Sequence, residues 1–231
     1  MRTFSNLSMT LAAAVLATAS FGAKAADYTL DFGDNGKYLD ICSAFSNGSG
    51  AAVGCTNGAY LLQSYGDVAG AVDVTYSAPR INDGRSLRWW AEDYNNLFGV
   101  AWADSGDLNS RARIELKPLS PGAGITLTSF DLGAYYRTTR GTTVNIYAIG
   151  GSTPLYTFTG DVGDAFIAPT SFAVNVQSDN GLWIEWQDSA FNVGIDHIQF
   201  STAAGPVPEP ASVALMLAGL VGMGAMVRRR G

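Results

Sequence analysis

The side chains able to do covalent or metal chemistry are few. The chain holds one histidine, His197, and two cysteines, Cys42 and Cys55. His197 sits in an alternating apolar stretch, and no Gly-x-Ser-x-Gly elbow occurs anywhere, so a serine hydrolase would lack its framework. A Gly-rich phosphate loop and a His-Glu-x-x-His helix are missing too, and two cysteines with one histidine give no zinc pattern of the usual spacing. Gly-, Ser- and Ala-rich sequence separates Cys42 from Cys55. In an oxidising compartment such a pair reads as a disulfide closing a loop of about fourteen residues, worth about 3 kcal/mol in the chain-entropy model. The sharper alternative is a thiol nucleophile paired with His197. A pair of carboxylates could hydrolyse a glycoside, and Asp131, Glu185 and Asp188 are candidates, although solvated strand edges look the same in sequence. No residue is assigned a catalytic role, and the expectation is a protein that is not an enzyme.

Aromatic residues are the stronger lead. Trp89, Trp90, Trp102, Trp183 and Trp186 accompany Tyr94, Tyr135 and Tyr136. If Leu182, Ile184 and Trp186 face inward on a strand, Trp183 faces outward beside Glu185 and Gln187. The pairs Trp89/Trp90 and Tyr135/Tyr136 should split the same way, one ring in and one out. An outward ring flanked by polar groups suits the apolar C–H face of a sugar and its hydroxyl rim. Trp183, Glu185, Trp90 and Tyr135 are therefore the candidate glycan contacts; the plainer reading is that loops or a neighbouring sheet cover each ring.

The elements that must position these residues are strands. Alternation runs through Tyr28-Leu30-Phe32, Val72-Val74-Tyr76, Ala112-Ile114-Leu116, Ile125-Leu127, Val144-Ile146, Leu155 with Thr157, Phe172-Val174-Val176 and Leu182-Ile184-Trp186. Residues tolerant of positive φ punctuate them at Asp34-Asn35-Gly36, Asn82-Asp83-Gly84, Gly150-Gly151 and Asp179-Asn180-Gly181. A last strand is expected over 194–200. No helical stripe occurs outside the termini, so the fold class is all-β, a sandwich or barrel that hides one apolar face of each sheet.

Both ends of the chain carry an address. Arg2, the apolar stretch 11–19 and Ala23-Lys24-Ala25 have the order of a signal peptide over 1–25. At the other end Pro208-Glu209-Pro210 precedes residues 211–227, uncharged and with Ser212 as their one polar side chain, and then Arg228, Arg229 and Arg230. As a transmembrane helix 211–227 would rise roughly 25 Å, enough for a thin bilayer, and the arginines would hold its end in the cytoplasm. The expected domains are thus a signal peptide 1–25, an exported domain 26–201, a linker 202–206 and a membrane tail 207–231. Removing Arg2, Lys24, the terminal arginines and Glu209 leaves 9 basic and 19 acidic residues in 26–206, a net charge of −10. So acidic a surface repels phosphate backbones, which excludes nucleic acid as a partner and favours a divalent cation.

The Pro-Glu-Pro, the short span and the arginine cluster resemble the PEP-CTERM sorting signal of exported proteins from Gram-negative bacteria that make extracellular polysaccharide. The resemblance implies that an exosortase-type membrane protease recognises Pro208, Glu209 and Pro210, that 211–227 is a temporary anchor and that Arg228 to Arg230 retain it. It further implies an inner-membrane precursor and then a cell-surface or matrix protein. Segments 125–133 (ITLTSFDLG), 144–147 (VNIY) and 192–198 (NVGIDHI) are similar to jelly-roll β-sandwiches of the carbohydrate-binding-module kind. That likeness implies a jelly-roll-like sandwich, a polysaccharide ligand and a structural calcium between first and last strands, held by Asp31 and Asp196. The leading expectation is an exported, non-enzymatic surface or matrix protein that binds polysaccharide. A hydrolase or lyase acting on that polysaccharide is the alternative. Ice binding is a minor one, implied by the resemblance because the same tail has been labelled after ice-binding proteins, and suggested by Thr126/Thr128 and Thr157/Thr159.

Overall fold

The computed structural model describes residues 25–33, 40–79, 84–103, 110–120, 122–187 and 192–202. The expected signal peptide, the membrane span, the sorting motif and Asp188 lie outside the described residues. Among the described residues no helix is long and apolar enough to cross a membrane.

The regular elements of the described residues are all strands. In order come β1 (Ala26–Leu30), β2 (Cys42–Ser43), β3 (Ala52–Val53), β4 (Tyr60–Leu61), β5 (Val72–Ser77), β6 (Arg88–Trp90) and β7 (Val100–Trp102). Then follow β8 (Ala112–Pro118), β9 (Ile125–Ala134), β10 (Arg140–Ala148), β11 (Pro154–Val162), β12 (Thr170–Ser178), β13 (Leu182–Gln187) and β14 (Val193–Thr202). Two antiparallel sheets form a sandwich. One runs β12-β9-β14-β7-β6-β4-β2-β3, with β1 also on β14; the other runs β11-β10-β13-β8-β5. β14 is the hub of the larger sheet: β9 pairs along one edge, while β1 takes Ile198 to Thr202 and β7 takes Ile195 on the other.

The alternating segments became strands because each hides one face. Val72, Val74 and Tyr76 on β5, Ala112, Ile114 and Leu116 on β8, and Leu182, Ile184 and Trp186 on β13 are all buried in one core with Ile125, Leu127, Leu132, Ile195 and Phe200 from the facing sheet. Trp186 is fully enclosed, and its indole N–H donates to the Val193 carbonyl across the sandwich at 2.9 Å. At that depth an unpaired indole N–H would be costly, so the bond fixes the ring as well as the inter-sheet distance.

Three sequence-level expectations need correction. On β11 the inward rings are Tyr156 and Phe158, while Leu155 and Thr157 point to solvent. Tyr135 and Tyr136 do not split between core and solvent: Tyr136 is exposed, and Tyr135 joins a separate cluster outside the main core. β14 runs through Thr202, the residue assigned to the linker, and Thr202 is buried; 203–206 lie outside the described residues.

Cys42 and Cys55 are disulfide-bonded, which removes the thiol-nucleophile alternative. The bridge spans the short strands β2 and β3 at the far edge of the larger sheet, where two-residue pairings provide little holding force of their own.

Candidate functional site

On the outer side of the larger sheet adjoining aromatic rings form a cluster, part of it buried and part open to solvent. On β6, Trp89 points into the core and Trp90 out, as strand alternation demands. Trp90 meets Trp102 of β7 edge-on at 6.1 Å between centroids and Tyr135, just past β9, at 5.7 Å. Tyr135 continues to Tyr94 at 5.2 Å and to Tyr136 at 5.9 Å. In the other direction the Arg88 guanidinium lies 6.0 Å from the Trp102 ring and 4.3 Å from that of Tyr60 on β4. Trp90 and Tyr135, picked out separately in the sequence, are thus adjacent. Tyr94 and Trp102 are buried beneath them with Leu97 and Val100, a small apolar base that holds the outer rings edge to face. Burial pushes the Tyr94 phenol well above its ordinary pKa, so it stays neutral.

One buried asparagine holds this end of the sandwich together. Asn95 accepts the Ala134 N–H on its side-chain oxygen at 2.5 Å and donates its amide to the carbonyls of Thr138 and Asp164 at 3.3 and 3.1 Å. It thereby ties the 91–99 loop to the β9–β10 turn and to the loop after β11. Two glycines permit the approach: a Cβ at Gly163 would lie 2.4 Å from the Asn95 oxygen, and one at Gly133 would lie 2.3 Å from the Tyr94 carbonyl. Beside the exposed Tyr136 ring is a hollow of about 360 Å³ lined by Glu92, Asp93, Tyr136 and Arg137. Arg137 and Asp93 are ion-paired across it at 3.2 Å, and Arg137 N–H donates to the Asp93 carbonyl at 3.0 Å. Aromatic faces beside a small polar hollow suit a ring that is apolar on its faces and hydroxylated on its rim.

Trp183 and Glu185 lie elsewhere, on the outer face of the smaller sheet. Trp183 is half-buried, with the Arg113 guanidinium 4.3 Å from its ring centroid and Tyr147 at 5.5 Å. Glu185 faces outward as alternation requires but is buried at 4 % exposure. Arg113 donates to its carboxylate at 2.8 and 3.2 Å, and Arg111 pairs with its other oxygen at 3.3 Å. With its lone pairs engaged, Glu185 is held as an ion-pair centre below the surface. Asp131 belongs to the larger sheet, so it and Glu185 do not form a carboxylate pair. The threonine pairs also part: Thr126/Thr128 are on the larger sheet, Thr157/Thr159 on the smaller.

A second cluster forms where the end of β1 meets β14. Phe32 N–H donates to Asp196 at 2.8 Å, Gly33 N–H to Asp31 at 2.7 Å, and the Tyr65 hydroxyl to the Asp31 carbonyl. Asp31 and Asp196, paired by resemblance alone, do come together, and His197 joins them: each residue offers a donor atom, all within 4.8 Å of one another. His197 Nδ1 lies 2.9 Å from Asp131. Desolvation pushes the Asp196 carboxyl up to about 7 against the opposing Phe32 N–H. Burial works against the charged imidazole of His197, but the Asp196 charge and the Asp131 hydrogen bond outweigh it and raise its pKa. Two carboxylates and an imidazole nitrogen converge here. Calcium takes six to eight oxygens, carbonyls and waters among them, whereas an imidazole nitrogen suits a transition cation. His197 and Asp131 were missed as partners of Asp196, because neighbours on a regular strand point to opposite faces.

Residues 206–230 match the PEP-CTERM protein-sorting motif. The motif marks an exported, exosortase-processed cell-surface protein. No curated protein matches the chain. Among solved structures, 58 % of the chain is similar to a GH26-CBM35 β-(1,4)-mannanase of Podospora anserina at 17 % identity and a TM-score of 0.33, spanning 29 % of that longer chain. A structure described as "CBM4 structure and function" is similar over 57 % of this chain and 83 % of its own, at 15 % identity and a TM-score of 0.29. CBM29_1, a family 29 carbohydrate binding module from Piromyces equi, is similar over 55 % of this chain and 90 % of its own, at 20 % identity and a TM-score of 0.25. At these levels no ligand carries across from one protein to another.

Proposed function

We propose that the chain is a non-enzymatic, jelly-roll-like surface or matrix protein that reaches the outside as a membrane-anchored precursor and binds polysaccharide there. The observation that carries this reading is the run of rings from Tyr60 through Arg88, Trp102, Trp90 and Tyr135 to Tyr136. Tyr60, Trp90, Tyr135 and Tyr136 reach solvent, with Trp102 buried between them, and give a polymer several contacts on one side. A single platform gives one.

The register of β14 locates these rings on the sheet. Val193 pairs with Ala134 beside Tyr135, while Thr202, where the chain leaves toward the tail, pairs with Ile125 and Ala26. Nine steps at about 3.3 Å separate these ends by roughly 30 Å. The Tyr135–Tyr136 end of the run therefore lies at the opposite end of β14 from Thr202, clear of the β1 pairing.

The test is a pull-down of the full chain on extracellular polysaccharide. Tyr136 is 71 % exposed, so Tyr136→Ala should weaken binding with an unchanged melting temperature. One lost stacking contact of about 1–2 kcal/mol corresponds to roughly five- to thirty-fold in affinity. Wild-type binding retained by Tyr136→Ala and Trp90→Ala together would refute the proposal.

A further inference from the structure

The cluster at the crossing of β1 and β14 has the construction of a metal site. Asp196 is fully buried; one carboxylate oxygen accepts the Phe32 N–H, and the other, Oδ2, receives no hydrogen bond. The His197 Nε2 atom lies 3.6 Å from that oxygen, beyond hydrogen-bond range. On the opposite side of the ring Nδ1 is 2.9 Å from Asp131 Oδ2. A carboxylate can only accept, so in the neutral imidazole Nδ1 carries the proton and Nε2 presents its lone pair toward Asp196. This is the outer-shell device by which a carboxylate fixes the tautomer of a metal-binding histidine. Asp31, the third donor, is oriented by the Gly33 N–H at 2.7 Å.

With Nε2 unprotonated the two lone pairs repel, and either the proton that the raised His197 pKa favours or a metal ion in its place relieves the repulsion. Donors about 2.1 Å from a tetrahedral ion stand roughly 3.4 Å apart, close to the Asp196–His197 separation. The imidazole selects the kind of ion: nitrogen suits zinc and its neighbours in the transition series and is foreign to calcium. We propose that Asp31, Asp196 and His197 bind a divalent transition cation of the zinc type, with Asp131 as the positioning residue that holds the imidazole and solvent on the open side. Such an ion fastens the end of the first strand to the last one, near the start of the exported domain.

His197 is the one histidine in the chain, so the imidazole nitrogen NMR signals of the untagged full chain in detergent belong to this site alone. After chelator treatment, Zn²⁺ alone should bind one equivalent and shift Nε2, whereas Ca²⁺ alone should leave it in place. His197 has φ of +49°, a conformation asparagine adopts readily, so His197→Asn removes the donor without straining the backbone. It should weaken zinc at least a hundredfold in competition with a chromogenic chelator. Asp131→Asn should weaken it ten- to a hundredfold, the usual effect of losing an outer-shell carboxylate. Equal zinc affinity in all three chains, an unmoved Nε2 signal, or a melting temperature raised by Ca²⁺ and not by Zn²⁺ would overturn the proposal.

Discussion

Asn95→Ala is expected to be the most damaging single polar substitution at the aromatic end. Asn95 is 2 % exposed and has φ of +52°. Alanine leaves the Ala134 N–H, in a fully buried residue, without its acceptor, a loss of about 1–3 kcal/mol. The carbonyls of Thr138 and Asp164 lose a donor as well, each worth up to about 1 kcal/mol because both residues retain some solvent contact. The left-handed backbone costs a residue with a Cβ roughly 1–2 kcal/mol, a penalty asparagine relieves through local hydrogen bonding. Together these come to about 3–5 kcal/mol, or on the order of 10 °C in melting temperature at 2–4 °C per kcal/mol for a domain of this size. The backbone contribution can be isolated. Asn95→Gly loses the same hydrogen bonds but tolerates positive φ, so it should melt above Asn95→Ala, reversing the usual order of alanine and glycine. Calorimetry on the three chains, with hydrogen exchange at the Ala134 amide, reads both effects. A loss below about 1 kcal/mol with Ala134 protection unchanged would show that Asn95 does not hold the three loops together.

Further expectations concern the core, the staple and the tail. Trp186→Ala should cost about 3–5 kcal/mol, because a fully enclosed indole leaves a cavity and its hydrogen bond to Val193 goes with it. Trp183→Ala should cost only about 1–2 kcal/mol, the burial of half a ring plus its contact with Arg113; equal losses for the two would contradict the assigned faces. Replacing Cys42 and Cys55 by serine should cost about 3 kcal/mol in denaturant titrations from the loop of the unfolded chain, and titration of the unfolded, unreduced protein should find no free thiol. Deleting 211–231 should release the domain into the periplasm, whereas the intact chain should fractionate first with membranes; full-length protein soluble in cytoplasm would refute the anchor.

Strands were legible where one face is wholly apolar. Val72-Val74-Tyr76 and Leu182-Ile184-Trp186 alternate cleanly because the opposite positions face outward, and period two then fixes both element and facing. β11 misled because both of its faces carry large side chains: Leu155 stands out on the side of Thr157, while the aromatic rings Tyr156 and Phe158 fill the interior. The alternation was real there, and only its sign was ambiguous. For Glu185 the facing was right and the exposure wrong, since Arg113 of β8 and Arg111 just before it close over a carboxylate that alternation can only place outside.

The candidate sites depend on breaks in period two, which is why sequence recovered them only in part. Trp90 and Tyr135 could be named singly as outward rings, but their contact requires Tyr94 to bridge to Tyr135 and Asn95 to hold the turn beyond β9. Both Asp93 and Asn95 take positive φ in that loop, and no alternating pattern encodes such geometry. The metal cluster is sharper still. A regular β14 would send Asp196 and His197 to opposite faces, so a histidine following a buried aspartate would read as a solvent-facing neighbour. The pairing of β14 with β9 slips between Asp196 and Gln199, with His197 left-handed at the slip, and this bulge brings both side chains to the same place beside Asp131. A bulge leaves one residue unpaired in the ladder and weakens the sheet locally. Its position at the junction of β1, β9 and β14, under a buried carboxylate oxygen with no hydrogen bond, is accounted for if a cation occupies the space it opens. The same reasoning makes the ion part of what holds the bulge. Removing it should therefore loosen Asp196 to Gln199 and the end of β1 in hydrogen exchange while leaving the five-stranded sheet unchanged. Uniform loosening of both sheets, or none, would count against that coupling.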